Sequence, residues 1–369
     1  MRIIHVNGEK GFSGGEDQTF HLMEYLREVG DTNILVGRRG GAAASEARRR
    51  GFETHELAMR NSLDVAAIFA LRRLFRRLRP QVIHMHTSRA HVLGAWAARG
   101  LGCPARVATR RMDYPLRRNP FTRFLYGSGV DRVVAISRAV REEVLKLGLS
   151  REKVALVPDG VEVERFRGIS EQGEEEKEAA RELWGLAAGS PAVGSIGSLH
   201  RRKGQDLLVE AVALLSGRGV ECSLLVAGAG PREEELRHLV AARGVEERVS
   251  FLGHVTPPER LYRALDIFCM PSRKEGLGVA ALEAMAAGLP VVAAAVGGLA
   301  ESVEEGRTGL LVPPDDPARL AAALERLLAD GELRRELGAR GVRRVGERYS
   351  SRAMGGGNRS IYQELLGSP

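Results

Sequence analysis

Short apolar runs alternate with amphipathic segments along this chain. In the first half, runs of β-branched and aliphatic residues predict strands at 2–6, 32–36, 82–85, 106–109, 133–136 and 154–157. Between them, 18–29 and 90–99 carry the 3.6-residue periodicity of helices. A second series begins at 192. It predicts strands at 193–196, 223–227, 249–251, 267–270, 291–294 and 310–312, separated by helices at 205–215, 233–243 and 317–328. Strand and helix taken in turn form parallel α/β layers. The pattern occurs twice, with no internal repeat of short period.

The two series are separated by residues 166–191. Pro158-Asp159-Gly160-Val161 is a turn signal that introduces the break, and an acidic run, 171–178, lies inside it. The acidic run reads as the start of a solvated helix in the second domain, or else as a disordered insertion. The expected division is a first domain at 1–165, a second at 166–348 and a closing segment at 349–369. Gly355-Gly356-Gly357 interrupts that last segment and predicts a break in its helix.

A length of 369 residues suits two domains, and 44% apolar content with 5% aromatics suffices for two cores. Cys103, Cys222 and Cys269 are odd in number and widely spaced, with neither zinc spacing nor a disulfide framework. That pattern points to a reducing compartment. The opening residues read as a first strand, because their apolar run is too short for a signal peptide. The longest apolar run, 284–300, contains Gly288, Pro290 and a Gly-Gly pair, so it reads as a helix end plus a buried strand and not as a membrane span. The expected location is therefore the cytoplasm, with a peripheral place on the inner face of the cell membrane as an extension.

Charge changes this picture in one respect. Residues 1–165 carry a net +11 and the remainder −3. The densest basic stretch is 71–80, where Leu71, Leu74, Phe75 and Leu78 share one helical face and arginines take the other. It reads either as a solvated surface helix or as a dock for anionic lipid. Nothing in the chain has the pattern of a recognition helix or the interleaved aromatic and basic residues of a single-strand binder, so nucleic acid is not an expected partner.

The densest chemistry lies in 271–301: Pro271-Ser272-Arg273-Lys274-Glu275-Gly276-Leu277-Gly278, then Glu283-Ala284-Met285-Ala286-Ala287-Gly288-Leu289-Pro290, then Gly297-Gly298-Leu299-Ala300-Glu301. A helix start is written between Glu275 and Glu283. Such an end presents free N–H groups and partial positive charge, and binds phosphate readily. Glu275 precedes the helix and Glu283 falls in its second turn. One carboxylate can reach hydroxyls on one side of a bound phosphate and the other can reach hydroxyls opposite. A nucleotide-sugar has that layout.

This ordered set of motifs resembles the large retaining glycosyltransferase group called family 4. The resemblance implies the α/β GT-B fold: two Rossmann-like domains facing across a cleft, with a C-terminal segment crossing back to the first domain. It is strong in the second domain and weaker in the first. It implies that Glu275 binds sugar hydroxyls and Glu283 the ribose, with backbone around Gly276, Leu277, Gly278 and Val279 adding N–H donors. In Gly197-Ser-Leu-His-Arg-Arg-Lys-Gly204, Arg202 and Lys203 would hold the diphosphate, while Ser198 stands where many members have Arg. Gly228-Ala-Gly230-Pro231 resembles the loop near the donor nucleotide.

In the first domain, Gly14, Gly15 and Glu16 lie in a glycine-rich strand-to-helix loop, 11–17. It lacks the dinucleotide fingerprint Gly-x-Gly-x-x-Gly, and in the family such a loop lines the cleft. His84 and His86 alternate onto one strand face. As a metal pair they lack a third ligand, so both read as hydrogen-bonded structural histidines, with His86 on the substrate side. Ser137 resembles a cleft-facing serine at a helix start and reads equally as an N-cap. Two positions in this domain depart from the family. Asp159 replaces the Asn of Pro-Asn-Gly-Val-Asp, and Arg111 falls where many relatives have the His of Thr-x-His. An arginine cannot serve as a base at neutral pH. Arg110, Arg111 and Asp113 therefore read either as a distinct acceptor arrangement or as a structural ion pair.

The activity implied is retaining transfer of a sugar from a nucleotide-diphospho-sugar to a glycan, lipid-linked or small hydroxyl acceptor, with cell-envelope polysaccharide or lipopolysaccharide synthesis favoured. No metal or other cofactor is implied, because protein cations and helix N–H groups would stabilise the leaving diphosphate. A GT-B nucleotide-sugar epimerase and a non-catalytic donor-binding subunit are the alternatives.

Overall fold

The computed structural model describes residues 1–12, 14–171, 173–187 and 189–367. Seven parallel strands form one sheet: β1 Arg2–Asn7, β2 Thr32–Arg38, β3 Glu53–Leu57, β4 Val82–Met85, β5 Ala105–Arg110, β6 Arg132–Ala135 and β7 Val154–Leu156, in the order β3-β2-β1-β4-β5-β6-β7. Six parallel strands form another: β8 Ala192–Ile196, β9 Ser223–Ala227, β10 Val249–Gly253, β11 Ile267–Met270, β12 Val291–Ala294 and β13 Gly309–Val312, in the order β10-β9-β8-β11-β12-β13. Central strands such as β1, β4 and β12 are apolar runs because helices cover both faces of a parallel sheet. β3, with the sequence Glu-Thr-His-Glu-Leu, was not expected as a strand. It is a half-exposed edge strand and has no apolar face to announce it.

The chain divides into two compact units, residues 1–160 with the chain from Ser351 onward, and Val161–Ser350. The expected cut at 165/166 falls inside helix Val163–Ser170 and is corrected to 160/161. That helix belongs to the second unit because it packs on helices Val279–Ala286 and Gly331–Arg348, with buried Phe166 edge-on to Tyr262. The acidic run becomes helix Glu174–Glu182; Gln172 lies outside the described residues. Asp266 ties this helix to the second sheet. It accepts from Lys177 Nζ at 2.6 Å, Arg181 Nη2 at 2.5 Å and the backbone N–H of Ala192 at 2.8 Å.

Helix Ser351–Leu365 packs on the first unit, where Met354, Ile361 and Tyr362 join the core made by Leu22, Leu26, Val107 and Val134. It runs without a break through Gly355-Gly356-Gly357, contrary to expectation. A methyl group at Gly355 would lie 2.3 Å from the Tyr25 ring, and one at Gly357 2.9 Å from the Val157 side chain. The glycines weaken the isolated helix by about 1 kcal/mol each, and in return admit a close approach. Among the described residues, no helix is long and apolar enough to cross a membrane.

Candidate functional site

In the second sheet the chain runs from β8 through β9 to β10, then resumes with β11 on the other side of β8. The loops after β8 and β11 thus diverge at a topological switch point. Open parallel sheets bind ligands in the crevice this creates at the strands' carboxyl ends. The residues that meet there are those of the two motifs. Lys203 Nζ donates to Glu275 Oε2 at 2.5 Å, Ser272 Oγ donates to the same oxygen at 3.3 Å, and Arg202 Nη1 stands 3.9 Å away. Glu275 is buried, whereas Arg202 keeps about a third of its side chain exposed.

Backbone fixes this arrangement. Gly204 has φ +70°, and a methyl group there would lie 2.0 Å from the Pro271 carbonyl oxygen. The Arg202 carbonyl accepts from Arg273 N–H at 2.7 Å and the Glu275 carbonyl from Gly298 N–H at 3.1 Å. A methyl at Gly298 would lie 2.2 Å from the Gly276 oxygen, and one at Gly228 2.0 Å from the Gly197 oxygen. Gly230 rests on Leu199 in the same way. The β8, β9, β11 and β12 loops therefore lie on one another with no room for side chains. Leu277 is buried beneath them, and Gly278, at φ +86°, starts helix Val279–Ala286 without a side-chain cap. Glu283, in that helix, accepts from the Tyr262 hydroxyl at 2.9 Å. Burial and the neighbouring Glu283 carboxylate hold the Tyr262 pKa well above its ordinary value, so the hydroxyl stays a donor.

Sequence reasoning missed Tyr262 and also Arg273. The Arg273 guanidinium grips both Asp206 oxygens at 2.8 Å and bonds Asp315 and the Arg201 carbonyl, bracing the β8 loop against the β11 loop. Its place inside Pro-Ser-Arg-Lys-Glu was the available signal.

The first sheet has its switch point between β1 and β4. His5 pairs in register with His84, and His86 follows at the strand end. A third histidine thus joins the two expected, correcting the reading that none was available. Their ring nitrogens come within 4.8 Å of one another, the one group among the described residues placed to share a metal ion. Hydrogen bonding accounts for most of these nitrogens. Asn33 gives its amide hydrogen to the Asp31 carbonyl, so its oxygen faces His5 Nε2 at 3.0 Å. His5 Nε2–H then donates, His5 Nδ1 accepts from His86 Nε2–H at 3.0 Å, and His86 Nδ1 is left as an acceptor without a partner among the described residues. His84 lies 2.5 Å from the Tyr362 hydroxyl and 2.7 Å from Thr109 Oγ1. Burial lowers the pKa of His5 to about 4 and holds those of His84 and His86 well below the usual value, so all three are neutral.

Arg111 pairs with Asp159 and not with Asp113. Its Nε lies 3.2 and 3.3 Å from the two Asp159 oxygens, and Nη1 donates to the His86 carbonyl at 3.2 Å. The first unit's two departures from the family pattern therefore meet each other. Burial pushes the Asp159 carboxyl above the ordinary range, and the Arg111 guanidinium pulls it part of the way back. Arg110 bonds the Tyr126 hydroxyl and the Tyr114 carbonyl, and Asp113 Oδ1 is buried without a partner among the described residues. Ser137 caps helix Arg138–Leu145, accepting from Val140 N–H at 3.2 Å.

The glycine-rich loop starts helix Gly14–Glu28, four residues earlier than expected. Glu16 is buried near Asn7. A methyl group at Gly14 would meet nothing within 4 Å. Ser13, in the same loop, lies outside the described residues. Arg72, counted on the basic face of its helix, is instead tied to the Ala97 and Arg99 carbonyls.

Solved structures share this architecture from end to end. A glycosyltransferase from Rickettsia africae superposes with a TM-score of 0.88 at 21% identity, covering 100% of this chain and 99% of that one. HepE of Anabaena, in complex with UDP and glucose, gives 0.85 at 20%, covering 100% of both. The fold is GT-B. Residues 12–165 match the model for Glycosyltransferase Family 4, and residues 176–344 match that for Glycosyl transferases group 1. The chain belongs to the family 4-like glycosyltransferases of GT-B fold.

Among curated relatives, D-inositol 3-phosphate glycosyltransferase of Nocardia farcinica is 40% identical over 224 residues, 58% of this chain and 48% of that protein. Alpha-D-kanosaminyltransferase of Streptomyces kanamyceticus is 36% identical over 188 residues, 50% of this chain and 48% of that protein. The chain spans about half the length of these relatives.

Proposed function

We propose that the protein is a retaining glycosyltransferase whose second unit holds a nucleotide-diphospho-sugar and whose first unit presents the acceptor hydroxyl. The observation that carries this reading is the meeting of Lys203, Arg202 and Glu275 at the switch point of the second sheet. Glu275 holds the sugar hydroxyls while Lys203 keeps it in place. Lys203 and the partly exposed Arg202 face the diphosphate. As the bond from the anomeric carbon to the phosphate oxygen breaks, its electron pair passes to the diphosphate, where fixed cations stabilise it. The acceptor oxygen bonds to the same face of that carbon and gives its proton to the departing phosphate. No divalent metal is required. HepE, solved with UDP and with UDP-glucose, favours a uridine donor. Gly14 supports the acceptor side, since nothing in the protein's own packing calls for glycine there.

The acceptor is a hydroxyl of a glycan, a lipid-linked sugar or a small polyol, and the work is done in the cytoplasm at the inner membrane face. Helix Val65–Leu78 supports the membrane placement. It buries Ala67, Leu71, Leu74 and Phe75, while its outer line exposes Val65 (60%) and Phe69 (67%) beside Arg73, Arg76 and Arg77; Leu63 (79%) precedes it. Apolar residues that enter a bilayer, backed by arginines at headgroup level, suit an anionic surface at roughly 1 kcal/mol per basic residue.

Glu275→Gln tests the chemistry. Turnover should fall about 100-fold or more in a folded protein, and wild-type turnover should survive EDTA. Unchanged turnover in the variant would sink the assignment, and loss in EDTA restored by Mg²⁺ would sink the metal-free mechanism. Vesicle co-sedimentation tests the placement. Binding should need anionic lipid, fade with salt, and drop for Arg73→Gln/Arg76→Gln/Arg77→Gln. Indifference to anionic vesicles at low salt would remove it.

A further inference from the structure

Arg111 leaves the end of β5 held on two sides, by Asp159 through Nε and by the His86 carbonyl through Nη1. Asp159 is 4% exposed, and the next residue is anchored as well, with Gly160 N–H donating to Gln18 Oε1 at 2.8 Å. The third nitrogen, Nη2, has no hydrogen-bond partner among the described residues and is not fully buried, so it retains some access to solvent. The Arg111 side chain as a whole is only 15% exposed. A pair serving charge balance alone would use the guanidinium fork. Here the carboxylate meets only Nε, and Nη2 is left to be satisfied on a guanidinium that has lost its freedom.

The surroundings fit an anion. Residues 105–130 contain six arginines and one acidic residue, Asp113. Arg117 and Arg118 of the same β5 loop are exposed. Arginine suits a planar or tetrahedral oxyanion, and a pre-positioned one loses little entropy on binding it.

We propose that Arg111, positioned by Asp159, binds a phosphate carried by the acceptor. This deepens the reading above, in which the first unit takes the acceptor, and is distinct from the donor diphosphate assigned to Arg202 and Lys203. The phosphate belongs either to a small soluble phosphomonoester or to a lipid.

The test uses the full chain saturated with UDP, so that the donor site is filled. Inorganic phosphate, glycerol 3-phosphate, glycerol and dihexanoyl phosphatidic acid are titrated calorimetrically. Arg111→Gln/Asp159→Asn removes the cation without stranding a buried carboxylate. It should weaken phosphate and glycerol 3-phosphate binding at least tenfold and leave UDP binding within twofold. Glycerol should not bind to either protein. Arg202→Ala/Lys203→Ala should do the reverse, losing UDP and keeping the phosphate response. If dihexanoyl phosphatidic acid loses more affinity in the first variant than glycerol 3-phosphate does, the phosphate is a lipid's; if glycerol 3-phosphate loses as much or more, it is a soluble monoester's. A folded double variant that binds every probe as the wild type does overturns the proposal. So does a variant that loses UDP, since Arg111 would then serve the donor. Failure of the wild type to bind UDP is a separate result and counts against the glycosyltransferase reading instead.

Discussion

The two units share one sheet plan but furnish their switch points differently. In the second, loops from neighbouring strands lie backbone on backbone, with Gly204, Gly228 and Gly298 filling places where any side chain would strike a carbonyl oxygen. In the first, the same place holds a side-chain network drawn from five strands or loops and one distant helix: His5, Asn33, His84, His86, Thr109, Arg111, Asp159 and Tyr362. Backbone contact tolerates few sequences and leaves a local motif. A side-chain network can be assembled from residues that share nothing in sequence but their register. On the function proposed above, the diphosphate and ribose of the donor meet the first solution and the acceptor meets the second.

Acid should separate the units most widely. His5 and His91 have pKa values lowered to about 4 by burial, while the unfolded chain takes up those protons near 6.5. Between these values the unfolded state binds more protons, so the stability of the first unit is full above pH 6.5 and falls as pH drops toward 4. The loss is about 3 kcal/mol for each histidine by pH 4. In the second unit His200, His238 and His254 are exposed. Burial raises its Asp206 and Asp266 carboxyls, but ion pairs with Arg273 and Lys177 bring the net below the ordinary value. Its corresponding loss begins only below about pH 3.8. Trp96 and Trp184 report one unit each. In single-tryptophan variants, Trp96 fluorescence should change first as pH falls; coincident changes would break the contrast.

Glycine replacement should come next. Gly298→Ala forces backbone away from the Gly276 oxygen, at a cost of about 1–3 kcal/mol, and should abolish UDP binding. Gly14→Ala meets nothing, so denaturant unfolding should shift by less than about 0.5 kcal/mol while turnover drops. Equal losses of stability in both would mean that Gly14 too serves packing.

The smallest loss of stability expected from removing an observed contact is that of Tyr362→Phe. It removes one hydrogen bond to His84, worth about 1 kcal/mol. Urea unfolding read at Trp96 should register it and unfolding read at Trp184 should not.

These contrasts explain what could be read from the chain alone. Apolar runs announced every strand except β3, whose polar residues sit at an edge. The positions of Lys203 and Glu275 were legible because glycines and a helix start fix their loops over a few residues. The partnership of Arg111 with Asp159, 48 residues away, was not, and neither was the arrival of Tyr362 beside His84. Gly355-Gly356-Gly357 misled because helix propensity is local, whereas the Tyr25 ring that requires a bare backbone lies on another helix.

The helix Ser351–Leu365 also gives the protein a history. The first 160 residues leave the ribosome before the second unit, yet their core lacks Met354, Ile361 and Tyr362 until all of Val161–Ser350 has been made. At roughly 5–20 residues per second that interval lasts about 10–40 s. For that time the nascent first unit presents an open apolar seam along Leu22, Leu26 and Val157, and His84 lacks its phenol partner. Completion of the first unit's histidine network therefore waits on synthesis of the second unit, so a chain cut short within the second unit carries neither switch point in finished form.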